Sequence, residues 1–364
     1  MEQKREIIRL YNNKGLNLET CLEVAKISKS SYYYKPNNQK GGKKNTTHTL
    51  HKGQWVDDQE VVAKIKKLLS KPFIDYGYRK VTTYLKRNGY EIGKKKVFRL
   101  MKENKLLRPK KIKAKKFDKN IVKDKPKASR PLEIIEVDIK YIYIDGEKRN
   151  AYLMTIFDVF HRQAYEWTLN YSMKTKLLIK LILDFIDNHI IPKPLNPNDL
   201  EICFRTDNGS QFIAKSYNEL MKTFGFKNVY LPPATPQLNG HIESFHSTVE
   251  KLVCNAYEFD SLEHTKEIFK QFYKVYNEER FLTCLIDYPP VEFLKLWKKG
   301  KIEQKVINNK LKFFFKEEDN NEPLICSTNM SPLFEVNLKN NQDFYNSQCK
   351  NNVFLHYNIY PFEK

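Results

Sequence analysis

Apolar positions in the first third of this chain recur at helical intervals. Ile7, Ile8 and Leu10 form one stripe, and Leu18, Cys21, Leu22, Val24 and Ala25 a second. Ser28, after Ile27, is placed to cap a third helix bearing Ser30, Ser31 and Tyr32 to Tyr34, so residues 1–36 have a helix-turn-helix outline. Residues 37–55, with Asn37, Asn38, Gly41, Gly42 and a lysine-rich run, read as a flexible linker. Helical spacing returns over Asp57–Leu69, then through Val81, Tyr84 and Leu85 behind Tyr76-Gly77-Tyr78-Arg79-Lys80. After the break at Asn88-Gly89 it resumes over Lys94–Asn104, where Val97, Leu100 and Met101 face inward and Lys95, Lys96, Arg99 and Lys102 outward. Residues 56–108 are thus expected to be a second helical domain, able to bind DNA.

From Ile134 the period shortens to two. Ile134–Ile144, Ala151–Phe160 and Gln163–Leu169 predict a three-strand meander with a turn at Asp145-Gly146, followed by a helix over Lys174–Asn188. A short strand, Ile202–Phe204, runs into Asp207, a helix starts near Ser210, and a strand over Asn228–Leu231 leads through a proline-rich loop into a helix from His241 to about Tyr257. That order predicts an RNase H-like α/β core over 131–298, a mixed five-stranded sheet with flanking helices, preceded by all-α helix-turn-helix segments. Residues 299–364 receive no assignment. Trp55, Trp167 and Trp297 read as core or interface anchors.

Charge points to a partner. Lysine and arginine outnumber acids 64 to 43, for a net charge of +21, which favours a polyanion through counterion release. Between Lys94 and Arg130 there are 17 basic residues against three acids, so +14 of the +21 sits in a tenth of the chain. The connector 109–130, with Lys110, Lys111, Lys115 and Lys116, is expected to track phosphates. The six cysteines show no finger spacing, which argues against structural zinc, and no apolar run approaches a membrane span, so a cytoplasmic protein is expected.

Asp138 lies between Val137 and Ile139 in a strand otherwise fit for a core, where a carboxylate is costly unless paired or metal-bound. Asp207 falls where a strand ends, and Glu243 opens a helix. Singly, each reads more readily as a surface acid or cap; in this order of elements they are candidates for one site. Hard oxygen ligands suit Mg²⁺ or Mn²⁺, and a pair of such ions can activate an attacking oxygen and stabilise a leaving one in phosphoryl transfer. No Walker loop, serine elbow or cysteine nucleophile signature competes with this. Asp158 reads as a structural strand-end residue, and His246, three residues after Glu243 and so able to approach a metal site, reads more readily as a contact to DNA or solvent.

These residues resemble the transposases of insertion-sequence family three, of the second-reading-frame type, whose core is similar to retroviral integrase. The resemblance rests on Glu136-Val137-Asp138-Ile139-Lys140-Tyr141, Ile156-Phe157-Asp158-Val159-Phe160-His161-Arg162, Thr206-Asp207-Asn208-Gly209-Ser210-Gln211-Phe212 and Thr235 to Phe245, with 35 residues between Asp207 and Glu243 as in the D,D-35-E class. Tyr276-Asn277-Glu278-Glu279-Arg280 and Pro289 to Phe293 extend it downstream.

It implies a polynucleotidyl transferase that cleaves at transposon ends and joins the freed 3′-hydroxyl to target DNA, with Asp138, Asp207 and Glu243 holding two Mg²⁺ or Mn²⁺ ions. It also implies terminal repeats and target DNA as partners, a homo-multimer on DNA, and an upstream-frame product as a further partner. Arg79, Lys80, Lys95, Lys96, Arg99, Gln211, Gln237, Asn239 and Lys251 are the expected DNA contacts beside the connector lysines, with Asn208 and Gly209 shaping the groove. Three positions depart from the family pattern: Glu250 where a base is usual, Leu282 for histidine, and Lys140 for threonine. A nuclease that cuts without joining, and a DNA-binding regulator using the basic half alone, are the rival readings.

Overall fold

The computed structural model describes residues 2–34, 46–109, 127–191, 201–232, 239–307 and 310–316, in two compact units, Met1–Thr47 and His48–Lys364. Lys110, Lys111, Lys115, Lys116 and Gln237, most of the connector and the chain beyond residue 316 lie outside the described residues.

In the first unit α1 (Glu2–Asn13), α2 (Leu18–Ala25) and α3 (Lys29–Tyr33) close around Ile8, Leu22 and Ile27. Asn17 and Ser28 cap α2 and α3, accepting from Glu19 N at 2.9 Å and Ser31 N at 3.3 Å. The Arg5 guanidinium ties α1 to the end of α3 by donating to Ser31 O and Tyr34 O.

The second unit opens with a feature the sequence reading assigned to linker. His48–His51 (β1) and Gln54–Asp57 (β2) form an antiparallel hairpin whose turn, Lys52-Gly53, has positive φ at both positions, 48° and 84°. Such a turn matches the strands' twist, and glycine adopts it without strain. The hairpin gains a third strand, Tyr90–Glu91 (β3), to give the order β2-β1-β3 beside α4 (Asp58–Leu69), α5 (Tyr78–Arg87) and α6 (Lys94–Glu103). The domain expected to be all-helical therefore carries a small sheet. Trp55, 71% exposed on β2, is no core anchor. Trp167 and Trp297 are packed, on Tyr273 and Phe160 at 4.9 and 4.8 Å between ring centres.

The main sheet has the order β6-β5-β4-β7-β8, built from Ile134–Ile144 (β4), Arg149–Asp158 (β5), Ala164–Asn170 (β6), Cys203–Thr206 (β7) and Lys227–Tyr230 (β8). β4, β5 and β6 are antiparallel, whereas β4, β7 and β8 are parallel. One face packs on α7 (Thr175–Phe185), α8 (Ser210–Ile213) and α9 (Lys215–Thr223) through Val137, Leu178, Phe185, Phe204 and Phe212. The other packs on α10 (Gly240–Val249) and α11 (Leu262–Glu278) through Ile142, Ile144, Phe245, Phe269 and Phe272. The helix α10 continues as a π-turn over Glu250–Cys254. After α12 (Pro290–Lys298), residues left unassigned from sequence form a hairpin, Ile302–Ile307 (β9) with Lys310–Phe315 (β10). Ile302, Phe313 and Phe315 join Phe160, Phe293 and Trp297, which extends the core past residue 298.

Asp75, in the loop before α5, joins the helical domain to this core. It meets Arg280 at 2.7 Å, and Lys251 and Arg108 also close on it. Tyr76 Oη donates to Glu279 O and accepts from Phe281 N, while Lys80 donates to Phe281 O at 2.6 Å. Burial opposes ionisation of Asp75, but Arg280, with Lys251 and Arg108, outweighs it and holds the carboxyl down at about 2. Its stabilising effect is therefore complete above its ordinary value of 3.8 and is lost as pH falls towards about 2. Asp75→Asn is expected to lower stability by about 2 kcal/mol at neutral pH and to flatten the acid limb of the curve; denaturant melts of both proteins across pH check this.

Candidate active site

Alternate residues of β4 from Glu136 onward face α10 and its continuation. Ile142 and Ile144 meet the helix as apolar packing, and three polar residues before them meet it rung by rung. Glu136 Oε2 accepts from Ile242 N at 2.8 Å, Asp138 Oδ2 lies 3.4 Å from His246 Nδ1, and Lys140 Nζ lies 2.8 Å from Glu250 Oε2. Two residues of strand advance about 6.7 Å and four of helix about 6 Å. Steps of two on the strand and four on the helix therefore stay matched over three rungs.

The first rung does the work of a helix cap. Asn239, at the N-cap position of α10, is buried but gives no side-chain cap bond, and the carboxylate that receives Ile242 N–H comes from Glu136 instead. Glu136 is fully buried, and burial pushes its carboxyl up to about 7 against the pull of Ile242 N–H, Arg205 and Arg162, with Asp138 adding to the rise. The sequence reading did not single out this residue; its signal was an acid two positions before Asp138 on the same strand face.

Asp207 arrives by strand register. β4 and β7 pair in parallel through Ile134↔Cys203, Ile135↔Phe204 and Glu136↔Arg205. The same offset carried two positions further sets Asp207 level with Asp138 on the neighbouring strand line, where strands lie about 4.8 Å apart. Asp207 is exposed just past β7, and its Oδ1 accepts from Gly209 N at 2.9 Å. A Cβ on Gly209 would lie 2.3 Å from Gln211 Nε2 and 3.0 Å from Asp207 Oδ1, so any larger residue there would have to displace the Gln211 side chain. Asn208 Nδ2 donates to Leu231 O at 2.8 Å and joins the ends of β7 and β8.

Glu243 stands in the first turn of α10, one residue beyond the Ile242 that Glu136 holds. The helix bearing Glu243 therefore packs on the face of Asp138, while Asp207 follows the end of the strand paired in parallel with β4. The fold does not gather the three acids fully: among the described residues no three His, Cys, Asp or Glu side chains form a metal-ligating group. The donor set, three carboxylates with hard oxygens, fits Mg²⁺ or Mn²⁺. Within the same face His246, 11% exposed, pairs with Asp138 rather than pointing to solvent as expected, and its Nε2 is buried without a partner. Asp158 is the buried strand-end residue foreseen from sequence, accepting from Leu132 N, Phe160 N and His161 N. Burial opposes its ionisation, yet His161 and these amides hold its carboxyl below the ordinary value.

Several expected DNA contacts are used inside the fold. Lys80 is held by Phe281 O, Lys96 by Asp58 at 2.6 Å and His48 O, Arg99 by Asp58 and Glu103, and Lys251 by Asp75. Gln211 and Asn239 are buried. Each side chain answers a local need, a carbonyl, a carboxylate or packing space, that helical periodicity does not reveal. Arg79 and Lys95 are exposed, as expected.

An integrase core domain model matches residues 128–236, a second integrase core domain model residues 225–290, and an HTH-like domain model residues 56–114. The InsK transposase of insertion sequence element IS150 from Escherichia coli (strain K12) is 24% identical over 288 residues, 76% of this chain and 93% of that protein. The transposase of IS904 from Lactococcus lactis is 26% identical over 258 residues, 68% of this chain and 98% of its own length. Across both the integrase-like core and the HTH-like domain, the chain is similar to transposases of the insertion-sequence family three type. Its activity is DNA transposition, with an integrase-type core behind a helix-turn-helix-like domain. Among solved structures, the magnesium complex of the HTLV-2 integrase catalytic core (trimeric form) aligns at a TM-score of 0.35 and 14% identity, over 46% of this transposase and 99% of that chain. The Mos1 mariner transposase catalytic domain aligns at 0.33 and 16%, over 39% and 70%.

The cap supplied by Glu136 has a measurable consequence. Glu136→Ala leaves Ile242 N–H without its acceptor and is expected to cost about 1–3 kcal/mol, whereas Glu136→Gln, which keeps an acceptor oxygen, costs less. Denaturant unfolding of the two variants checks the order; equal losses would mean that the hydrogen bond to α10 is not what Glu136 contributes.

Proposed function

We propose that this transposase hydrolyses the phosphodiester at each transposon end and then joins the freed 3′-hydroxyl to target DNA, with Asp138, Asp207 and Glu243 as the catalytic acids. The observation that supports the reading is the parallel register of β4 and β7, whose offset at Glu136↔Arg205, continued by two residues, would bring Asp207 level with Asp138, the strand residue that meets the helix bearing Glu243. Asp138, Asp207 and Glu243 would hold two Mg²⁺ or Mn²⁺ ions, which would supply activation of the attacking oxygen and stabilisation of the leaving one. The protein's part is to fix the acids. Glu136 holds the start of α10, His246 orients Asp138, and the Gly209 turn orients Asp207. No side chain acts as nucleophile: water attacks first, the DNA hydroxyl second.

Double-stranded DNA, as transposon ends and target, is the substrate. Arg79 and Lys95, exposed on the helix pair α5–α6, are placed to contact phosphates, with the connector lysines beyond them. Paired ends call for a multimer on DNA, and an upstream-frame product is a further partner under this reading. Among the described residues no helix is long and apolar enough to cross a membrane.

Cleavage and strand transfer on a duplex carrying the element's end, in Mg²⁺ or Mn²⁺, test the assignment. Asp138→Asn, Asp207→Asn and Glu243→Gln are each expected to reduce both products by on the order of 100-fold or more, with DNA binding retained. Cleavage without joining by the wild type favours a nuclease. Binding with no metal-dependent chemistry favours a regulator, and mutants as active as wild type would refute the acid assignment.

A further inference from the structure

Lys140 and Glu250 are two of the three departures from the family pattern, and they are each other's partners, 2.8 Å apart. Both stand beside the candidate acids. Lys140 follows Asp138 by two residues on the same face of β4, about 6.7 Å along the strand, and Glu250 follows Glu243 by seven along the α10 helix, where the π-turn begins.

The pair is open to exchange. Glu250 is 48% exposed and Lys140 20%, so water reaches the pair from the Glu250 side and screens it. Releasing it to meet a new anion therefore costs little. The ammonium has three donors on a flexible stem, of which a single carboxylate oxygen at 2.8 Å uses one. The neighbouring cation on the helix, Lys251, is turned to Asp75 on a different element. On the rung face itself the strand supplies Asp138 and the fully buried Glu136, and the helix supplies His246, Glu243 and Glu250, so carboxyl groups outnumber the single imidazole where a polyanion would approach. A basic group that can swing from Glu250 to a phosphate answers that repulsion.

We infer that Lys140 is a substrate-contact residue that binds a backbone phosphate of the DNA beside the catalytic acids, and that Glu250 is the carboxylate holding it in the DNA-free protein. The inference rests on the reading of Asp138, Asp207 and Glu243 as those acids. Glu250 competes with the phosphate for the same ammonium, so the two residues affect binding in opposite directions.

The test is fluorescence anisotropy of a labelled duplex carrying the element's terminal sequence, with the full chain, without divalent metal, over a salt series. Lys140→Gln is expected to weaken binding several-fold and to reduce the slope of log K against log salt by about 1, as loss of one phosphate contact does. Lys140→Arg should keep the slope, and Glu250→Gln should tighten binding. An unchanged slope in Lys140→Gln, or weaker binding in Glu250→Gln, would overturn the inference and leave the pair a structural rung. Thermal melts guard against unfolding; should Lys140→Gln prove unstable, the direction of change in Glu250→Gln decides alone. Because binding is read without metal, a failed acid assignment shows separately, as Asp207→Asn cleaving like wild type.

Discussion

The face of β4 that meets α10 sets the constraint on which this transposase depends. A central strand buries both faces, yet this one carries Glu136, Asp138 and Lys140 into the contact. Charge in such a place is tolerated only where each group finds a partner of the right kind. The helix provides three different ones, a backbone N–H, an imidazole and a carboxylate, at intervals that match the strand. The polar part of the face fixes where α10 begins; the apolar part, Ile142 and Ile144 among Phe245 and Val249, holds it down. The placing of Asp138 and the seating of α10 are two aspects of the same contact.

The same economy governs the basic half. Lys80, Lys96, Arg99 and Lys251 all look free on a helical wheel, and all are engaged within the fold. Asp75 and Asp58 each draw more than one cation. Net charge of the chain is thus a poor guide to the charge presented to a ligand, and the helical domain is seated on the core by ionic and hydrogen-bonded ties from Lys71 to Lys80 against Glu279 to Phe281.

What the sequence disclosed followed from periodicity and local chemistry. Alternation over Ile134–Ile144, an acid just past a short apolar strand, and a helix after a proline-rich loop were enough to expect the mixed sheet and to choose Asp138, Asp207 and Glu243. What it withheld depends on residues far apart in the chain. Glu136 meets Ile242 across 106 positions, and Lys140 meets Glu250 although each taken alone looked like a lapse from the pattern. The β1–β2 hairpin escaped because Lys52-Gly53 is a weak turn signal amid lysines and polar residues, and β9–β10 because its strands are held by aromatic packing on Phe160 and Phe293 rather than by their own alternation.

The π-turn at Glu250–Cys254 has a consequence of its own. Glu250 and Lys251 are neighbours in sequence, yet one reaches β4 and the other reaches Asp75 in front of α5. A wide turn acts as one residue inserted into a helix, rotating everything after it relative to everything before. Glu250 and Lys251 open that turn, and through their separate partners the main sheet and the helical domain are both moored to a single point on one helix.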